Sequence, residues 1–473
     1  MTPEEFRRAG YRVIDWIADY RASIEDRPVM AAVQPGEIKA ALPKSAPSQP
    51  DAFDAILADL DRIVAPGVSH FQHPSFFGYF PANSELVSVL GDFVSTGLGV
   101  VGLSWQAAPA LTEIEEVATD WLRQLVGLSE SWKGVIQDTA STSTLVGLIS
   151  ARERASGYSL AQGGLQSGAA PLVVYVSAHA HSSVDKAAVL AGFGAGHVRH
   201  VAVDADFALR PDALREAIAT DRAAGLKPCA IVATVGTTTT TAVDPLRPIG
   251  AIAKEFGLWL HVDAAMAGSA MILPECRGML DGIEAADSLV LNPHKWLGVA
   301  FDCSTYFVRD PEHLIRVMST NPSYLQSSVD GTVANLRDWG IPLGRRFRAL
   351  KLWFLLRHEG VAALQARLRR DMENARWLAE EVNKTSDWRV MAPVHLQTLC
   401  LRHEPAGLSV EALDRHTLRW ADAANQSGEA YLTPATLDGR WMVRVSIGAL
   451  GTEREHVADL WRLIQRLAAS VLT

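Results

Sequence analysis

Between about Glu85 and Arg316 the chain alternates short β-branched runs with helical stretches, and that rhythm narrows the possible folds more than any other feature. The clearest runs are Leu172–Val176, Ala230–Val235, Leu258–Val262, Ser288–Leu291 and Thr305–Val308. Runs so short and apolar predict strands of a mostly parallel sheet, covered by helices on both faces. An α/β sheet of this kind presents its ligand chemistry just beyond the carboxyl ends of its strands.

The rest of the chain is read around that sheet. Thr2-Pro3-Glu4-Glu5 supplies a cap, a first-turn proline and two acids, which predicts a helix start and differs from the basic-then-apolar layout of a signal peptide. Phe6, Val13, Ile17 and Tyr20 then recur at helical spacing. Pro28, Pro35, Pro43, Pro47 and Pro50 mark an extended crossing segment, and Asp54–Ile63 predicts a second helix. Residues 319–335 are polar and aperiodic, which predicts a long mobile loop of the functional kind. After Arg346 a long helix leads into alternating short strands and helices, the pattern of a smaller α+β domain. The expected division is a helical N-terminal segment over 1–84, a large domain over 85–360 and a small C-terminal domain over 361–473.

Charge and cysteine usage bound the partners. A net charge of −9 over 473 residues argues against nucleic acid or an anionic membrane surface, and no apolar run is long enough to span a bilayer. Cys229, Cys276, Cys303 and Cys400 are scattered without metal-ligand spacing, so the expectation is reduced thiols, no metal and a cytoplasmic protein.

The residues that follow the strands carry the chemistry. After Leu172–Val176 comes Ser177-Ala178-His179-Ala180-His181-Ser182-Ser183. After Ala230–Val235 comes Gly236-Thr237-Thr238. Asp263 follows Leu258–Val262, and Asn292-Pro293-His294-Lys295 follows Ser288–Leu291. Gly134–Asp138 precedes Thr139-Ala140-Ser141-Thr142 at the start of a helical run, a place suited to an anion. An imidazole, a hydroxyl, a carboxylate and an amine thus share one sheet edge. Pyridoxal 5′-phosphate (PLP) needs this set: a lysine for the Schiff base, a carboxylate to keep the pyridine nitrogen protonated, and a cradle for the phosphate. Lys295 can supply the amine, Asp263 the carboxylate, and Ala140-Ser141 with His294 or Asn292 the cradle. Singly each has a plainer reading: Lys295 a surface charge, Asp263 a helix cap, the threonines loop filler. Two histidines without a third ligand are weak evidence for metal. The ordered set on successive strand ends favours the cofactor.

His261-Val262-Asp263-Ala264-Ala265 followed by Asn292-Pro293-His294-Lys295-Trp296 resembles the paired motifs of the group II PLP decarboxylases. The stretches His70–Trp105, Ala180–Ser183 and Pro342–Arg346 resemble those of the aromatic-L-amino-acid decarboxylases, most of all bacterial DOPA decarboxylases of the Pseudomonas type, and the resemblance runs nearly end to end. It implies the PLP-dependent transferase fold type I and a homodimer with the active site at the subunit interface, embraced by the N-terminal helices. It implies that Lys295 carries PLP, Asp263 pairs with the pyridinium nitrogen and His181 stacks on the ring. Ala140, Ser141, Asn292 and His294 would lie near the phosphate, and Thr238 and Ala265 beside the ring. Tyr324 would be the loop tyrosine that protonates the α carbon. Phe80, Pro81, Ala82, Val101, Leu103 and His181 would surround the substrate. Two positions depart from the mammalian pattern: Ala82 stands for a threonine and Leu103 for a phenylalanine of the partner-subunit wall, which puts the ring-substituent preference in doubt.

The expected reaction is decarboxylation of an aromatic L-amino acid, L-DOPA to dopamine foremost. Phe71, Phe76, Phe77, Tyr79 and Phe80, with Trp105, suit a planar side chain, although two or three of them are expected to be core. No arginine is placed for a second substrate carboxylate, which disfavours glutamate. An aldehyde synthase is the nearest alternative, but Tyr324 and His181 match the decarboxylase pattern. A PLP carrier without turnover would need neither the loop tyrosine nor the aromatic pocket. A dehydrogenase would need a Gly-x-Gly-x-x-Gly turn that is missing.

Overall fold

Seven strands build the expected sheet: β1 (Lys133–Gln137), β2 (Leu172–Ser177), β3 (Val198–Val201), β4 (Lys227–Thr234), β5 (Trp259–Asp263), β6 (Ser288–Leu291) and β7 (Ser304–Val308), in the order β1-β7-β6-β5-β4-β2-β3. They are seen in a computed structural model that describes residues 1–158, 164–167, 170–320, 323 and 329–472. Strands β3, β2, β4, β5 and β6 run parallel, while β7 is antiparallel to both β6 and β1. Because β7 reverses twice, β1 ends on the same edge as β2, β4, β5 and β6. Every residue of β2, β5, β6 and β7 is buried, which is why these strands read as unbroken apolar runs. One face packs Leu148, Ala151, Val184, Ala187 and Ala188 against Val174, Val176, Ala230, Val232 and Trp259.

The chain separates into two compact units. The sheet belongs to the unit formed by Ala82–Met372 and Ala392–Leu399. In it the helix Leu86–Leu98 turns Ser88, Gly91 and Ser95 inward. Gly91 is required there, since a Cβ would lie 2.8 Å from the Cα of Lys351.

The other unit comprises Met1–Pro81, Glu373–Met391 and Cys400–Thr473. Its first helix, Pro3–Ala22, starts where expected, and its cap is reciprocal: Glu5 N–H donates to the Thr2 hydroxyl and Thr2 N–H to the Glu5 carboxylate. Val13, Trp16, Ile17 and Tyr20 are half-buried, and Trp16 and Tyr20 bond to Asp61 and His70 at 2.9 and 2.7 Å. No residue of this helix is fully buried. The proline-marked segment, expected to be extended, holds a short helix, Glu37–Ala41, and the helix expected over Asp54–Ile63 follows as Phe53–Asp59, running on into a wider turn over Leu60–Val64. A four-stranded sheet follows in the order β10-β11-β9-β8, with β8 (Trp388–Val390), β9 (Thr398–His403), β10 (Thr433–Leu437) and β11 (Arg440–Ser446). Trp388 meets Trp420 and Trp461 edge-on beside it.

Among the described residues no helix is long and apolar enough to cross a membrane, and no group of three or more His, Cys, Asp or Glu is arranged to hold a metal. All four cysteines are buried and none forms a disulfide.

Candidate active site

The edge where β1, β2, β4, β5 and β6 end gathers the polar residues of the large sheet. Asp263 closes β5, between Thr234 of β4 and Val290 of β6 in register. It is 5 % exposed, and its Oδ1 accepts the Ala265 N–H at 3.0 Å. Its neighbours lock the turn: Ala264 N–H donates to the Val290 carbonyl, and Asn292 N–H to that of Ala265, both at 2.9 Å. The segment bearing Lys295 is thereby tied to the one bearing Asp263.

Lys295 lies in the wide turn Pro293–Leu297, half-buried, with its N–H on the Asn292 carbonyl. The turn is held from behind, where Trp296 Nε1 donates to Asp371 at 2.8 Å and Arg367 to the Leu297 carbonyl at 2.7 Å. Burial pushes the Asp371 carboxyl up to about 6. Gly298 ends the turn at φ 98°, where a Cβ would also crowd Arg367 and Glu85.

His294 is buried, and its Nδ1 accepts the Cys303 N–H at 2.9 Å. A backbone amide can only donate, so the neutral ring carries its proton on Nε2 and offers a donor there. Burial first, then the charge of Lys295, lowers this imidazole to about 4. Asn292 is 2 % exposed, and its Oδ1 has no hydrogen-bond partner among the described residues. On the same edge the helix Ala140–Ser156 begins, with Thr139 as an N-cap whose side chain makes no capping bond. The first-turn N–H groups at Ala140 and Ser141, and the exposed Ser141 hydroxyl, face an anion-favouring helix end.

Thr238 sits half-buried on a loop that bonds to itself: Gly236 and Thr237 N–H both reach the Ala242 carbonyl, and Asp244 accepts from Thr234 and Leu209 N–H at 2.7 Å each. Gly236 is at φ 85°, and a Cβ there would lie 2.6 Å from Ala267 Cβ. His181 follows β2 and is exposed in the single chain. Partial desolvation lowers its pKa; Asp263 opposes that shift and Lys295 adds to it. The amine, the carboxylate and the imidazole are therefore electrostatic neighbours.

These groups fit PLP. The Nε2–H of a neutral imidazole, the first-turn N–H groups of the open helix end and the exposed Ser141 hydroxyl are donors suited to an anionic tail, to which Asn292 could add its amide N–H. The amine and the carboxylate supply the two remaining requirements.

The expected substrate residues divide between the units. Ala82 is half-buried, Val101 exposed and Leu103 half-buried. The Leu103 carbonyl accepts from Arg337 and the Trp105 N–H donates to Asn335 Oδ1, each at 3.0 Å, so the 101–105 loop is pinned. In the other unit Phe80 and Pro81 follow an aromatic panel, with Phe71 stacked on Phe76 at 4.4 Å and on Tyr79 at 6.1 Å. Phe76 and Phe77 are core, as expected of some of this set; Phe71 and Tyr79 are exposed. Sequence reasoning missed Tyr431, whose hydroxyl donates to that of Tyr79 at 2.9 Å while Thr433 accepts the Tyr79 N–H. Tyr79 is held at φ 50°, unusual for an aromatic residue. Only a partner over 350 positions away marks this pair, so no local signal could have found it. Tyr324 lies outside the described residues.

The model of the pyridoxal-dependent decarboxylase conserved domain matches residues 35–404. A phenylacetaldehyde synthase of Arabidopsis thaliana is 41 % identical, covering 100 % of this chain and 97 % of its own. The structure of Oryza sativa TDC with PLP and tryptamine matches at a TM-score of 0.97 and 36 % identity, over 100 % of this chain and 99 % of that one. Catharanthus roseus tryptophan decarboxylase in complex with L-tryptophan matches at 0.93 and 39 %, over 99 % of both chains.

Proposed function

This chain belongs to the pyridoxal-dependent decarboxylase family, and on that premise we propose that it removes the carboxylate of an aromatic L-amino acid as CO2 and returns the amine, with L-DOPA to dopamine foremost. The observation that carries the reading is the placement of Lys295, Asp263 and His181 at one sheet edge, with the open helix N-terminus at Ala140-Ser141 and the Nε2–H of His294 on the same edge. Bound PLP supplies an electron sink for the pair left on the α carbon as CO2 departs. Lys295 holds the cofactor through its amine. Asp263 keeps a proton on the pyridine nitrogen, and its burial strengthens that interaction. The Nε2–H of His294, the amide N–H of Asn292 and the helix N-terminus at Ala140-Ser141 would hold the phosphate, with Thr238 and Ala265 beside the ring. His181 would cover the ring, and Tyr324 would deliver the proton to the α carbon.

The substrate ring would lie against Phe80, Pro81 and Ala82, with Val101 and Leu103 coming from a second copy of the chain. The exposed faces of Phe71 and Tyr79 support an aromatic side chain, and so do the aromatic names of the relatives. A homodimer is supported by the helix Leu86–Leu98, which turns its small residues inward and exposes Leu86, Leu90, Phe93, Val94 and Leu98. Buried cysteines without disulfides suit a cytoplasmic location.

Aldehyde formation is the second reading, favoured by the 41 % identity to a phenylacetaldehyde synthase. The deciding assay runs the PLP-loaded enzyme on L-DOPA, tyrosine, phenylalanine, tryptophan and 5-hydroxytryptophan and quantifies CO2, amine, aldehyde and peroxide. Amine equal to CO2 on at least one of them is expected. Aldehyde with peroxide in place of amine would select the second reading, and no CO2 from any would overturn both.

A further inference from the structure

His181 stands two residues ahead of the helix Ser183–Leu190, whose N-cap, Ser182, makes no side-chain capping bond. The imidazole caps the helix instead. The backbone N–H of Ser183 donates to His181 Nδ1 at 3.1 Å, and the Ser183 hydroxyl lies 2.8 Å from the same nitrogen. A backbone amide has only a hydrogen to give, so Nδ1 is the unprotonated nitrogen and the neutral ring carries its proton on Nε2. A proton on Nδ1 would set N–H against N–H and a cation against the positive end of the helix. Ser183 is buried, so its hydroxyl is fixed beside the ring.

We propose that Ser183 is a positioning residue that locks His181 as a neutral Nε2–H imidazole, so that His181 gives the reaction a flat ring and a hydrogen-bond donor, while the proton reaching the α carbon comes from another group. The role rests on the decarboxylase reading; the lock itself does not. If the Nε2 proton were transferred, the N–H electron pair would stay on the ring and leave an imidazolate, a far stronger base than a phenolate. Regaining a proton first at Nδ1 would require breaking both bonds from Ser183. The charged groups that act on the ring, Asp263 and Lys295, oppose one another.

The test is nitrogen-15 NMR of the PLP-loaded enzyme labelled at histidine, titrated from pH 8 to 5, with His181→Gln identifying the His181 signals. Nδ1 should be the unprotonated nitrogen, and the ring should titrate below the ordinary histidine range. Ser183→Ala keeps the backbone N–H bond to Nδ1 and the partial desolvation of the ring and loses only the hydroxyl. The titration and the acid limb of kcat/KM should therefore both move up part of the way towards that range, while Ser183→Thr, which keeps the hydroxyl, should hold both in place. His181→Gln retains a side-chain N–H donor but neither the flat ring nor a usable acid, so its rate should fall while the turnover that remains still gives amine equal to CO2. A proton on Nδ1 at neutral pH would overturn the lock, and the same titration in Ser183→Ala as in the parent would overturn the positioning role given to the Ser183 side chain. CO2 release without amine from His181→Gln would make His181 the proton source. The nitrogen signals report on the lock even if the parent releases no CO2, so that outcome would sink the decarboxylase reading alone.

Discussion

Asp263 makes a bond that any strand-end aspartate can make, from its own Oδ1 to an N–H two residues on, and its burial is what sets it apart. An amide in its place keeps the Ala265 bond and nearly the same volume but loses the charge. Asp263→Asn should therefore fold and bind PLP, while turnover falls by roughly 10²–10³-fold or more, the size of loss when one preorganised electrostatic group is removed. Cofactor absorbance beside single-turnover CO2 release measures both; near-parental turnover would reduce Asp263 to a turn residue. The placement of Lys295, Asp263 and His181 on one sheet edge was legible because each follows an apolar run within a few residues, and strand ends converge whatever the loops do. The lock by Ser183 was not, because it depends on which atom donates along a three-residue turn. The Tyr79–Tyr431 pair was not, because its halves belong to distant parts of the sequence.

At the scale of elements, the buried strands announced themselves and the edge strands did not. β3 reads Val-Arg-His-Val, with only its two valines buried and the arginine and histidine between them more open to solvent, so it lacks the continuous apolar signal of β2. β1 begins with an exposed lysine and a glycine. The direction of β7 was not legible, since an antiparallel strand buried on both faces looks like a parallel one. The central strands also bury a polar group with consequences for pH. His261 of β5 is fully buried, with Nδ1 2.9 Å from Ser288 Oγ and Nε2 3.4 Å from Thr144 Oγ1. Burial lowers its pKa to about 4. The unfolded chain takes up this proton near pH 6.5 and the folded one near 4, so the contribution is complete above about pH 6.5 and lost as pH falls towards 4. At about 1.4 kcal/mol per pKa unit it amounts to roughly 3 kcal/mol. Urea unfolding between pH 7 and 4 should show stability falling over that window. His261→Gln should be less stable at pH 7 and flatter with pH; an equal slope in both proteins would remove His261 as the cause.

For the molecule as a whole, the helix Leu86–Leu98 is inverted relative to an ordinary surface helix. Leu86, Leu90, Val94 and Leu98 recur every fourth residue along the outer face at 41–56 % exposure, while the inner face is small and polar. Such a stripe, continued by Val100 and Val101, costs solubility unless a partner covers it. In a two-fold dimer the same patch serves both subunits. Leu90 is the position to test, because it lies mid-stripe and points away from the packing of Gly91 on Lys351. Leu90→Glu places a carboxylate on a surface that the free chain exposes to water, so the chain should fold with unchanged circular dichroism. In the dimer the same carboxylate is desolvated and faces its symmetry-related copy or that copy's apolar stripe, a cost of several kcal/mol per ion. Sedimentation of the PLP-loaded variant at micromolar concentration should then show monomers. CO2 release should fall at least tenfold, because the substrate wall proposed for Val101 and Leu103 would be missing, while Leu90→Met should keep both assembly and rate. A Leu90→Glu dimer of parental stability would place the interface elsewhere, and a monomer with full activity would mean that each chain builds its site alone.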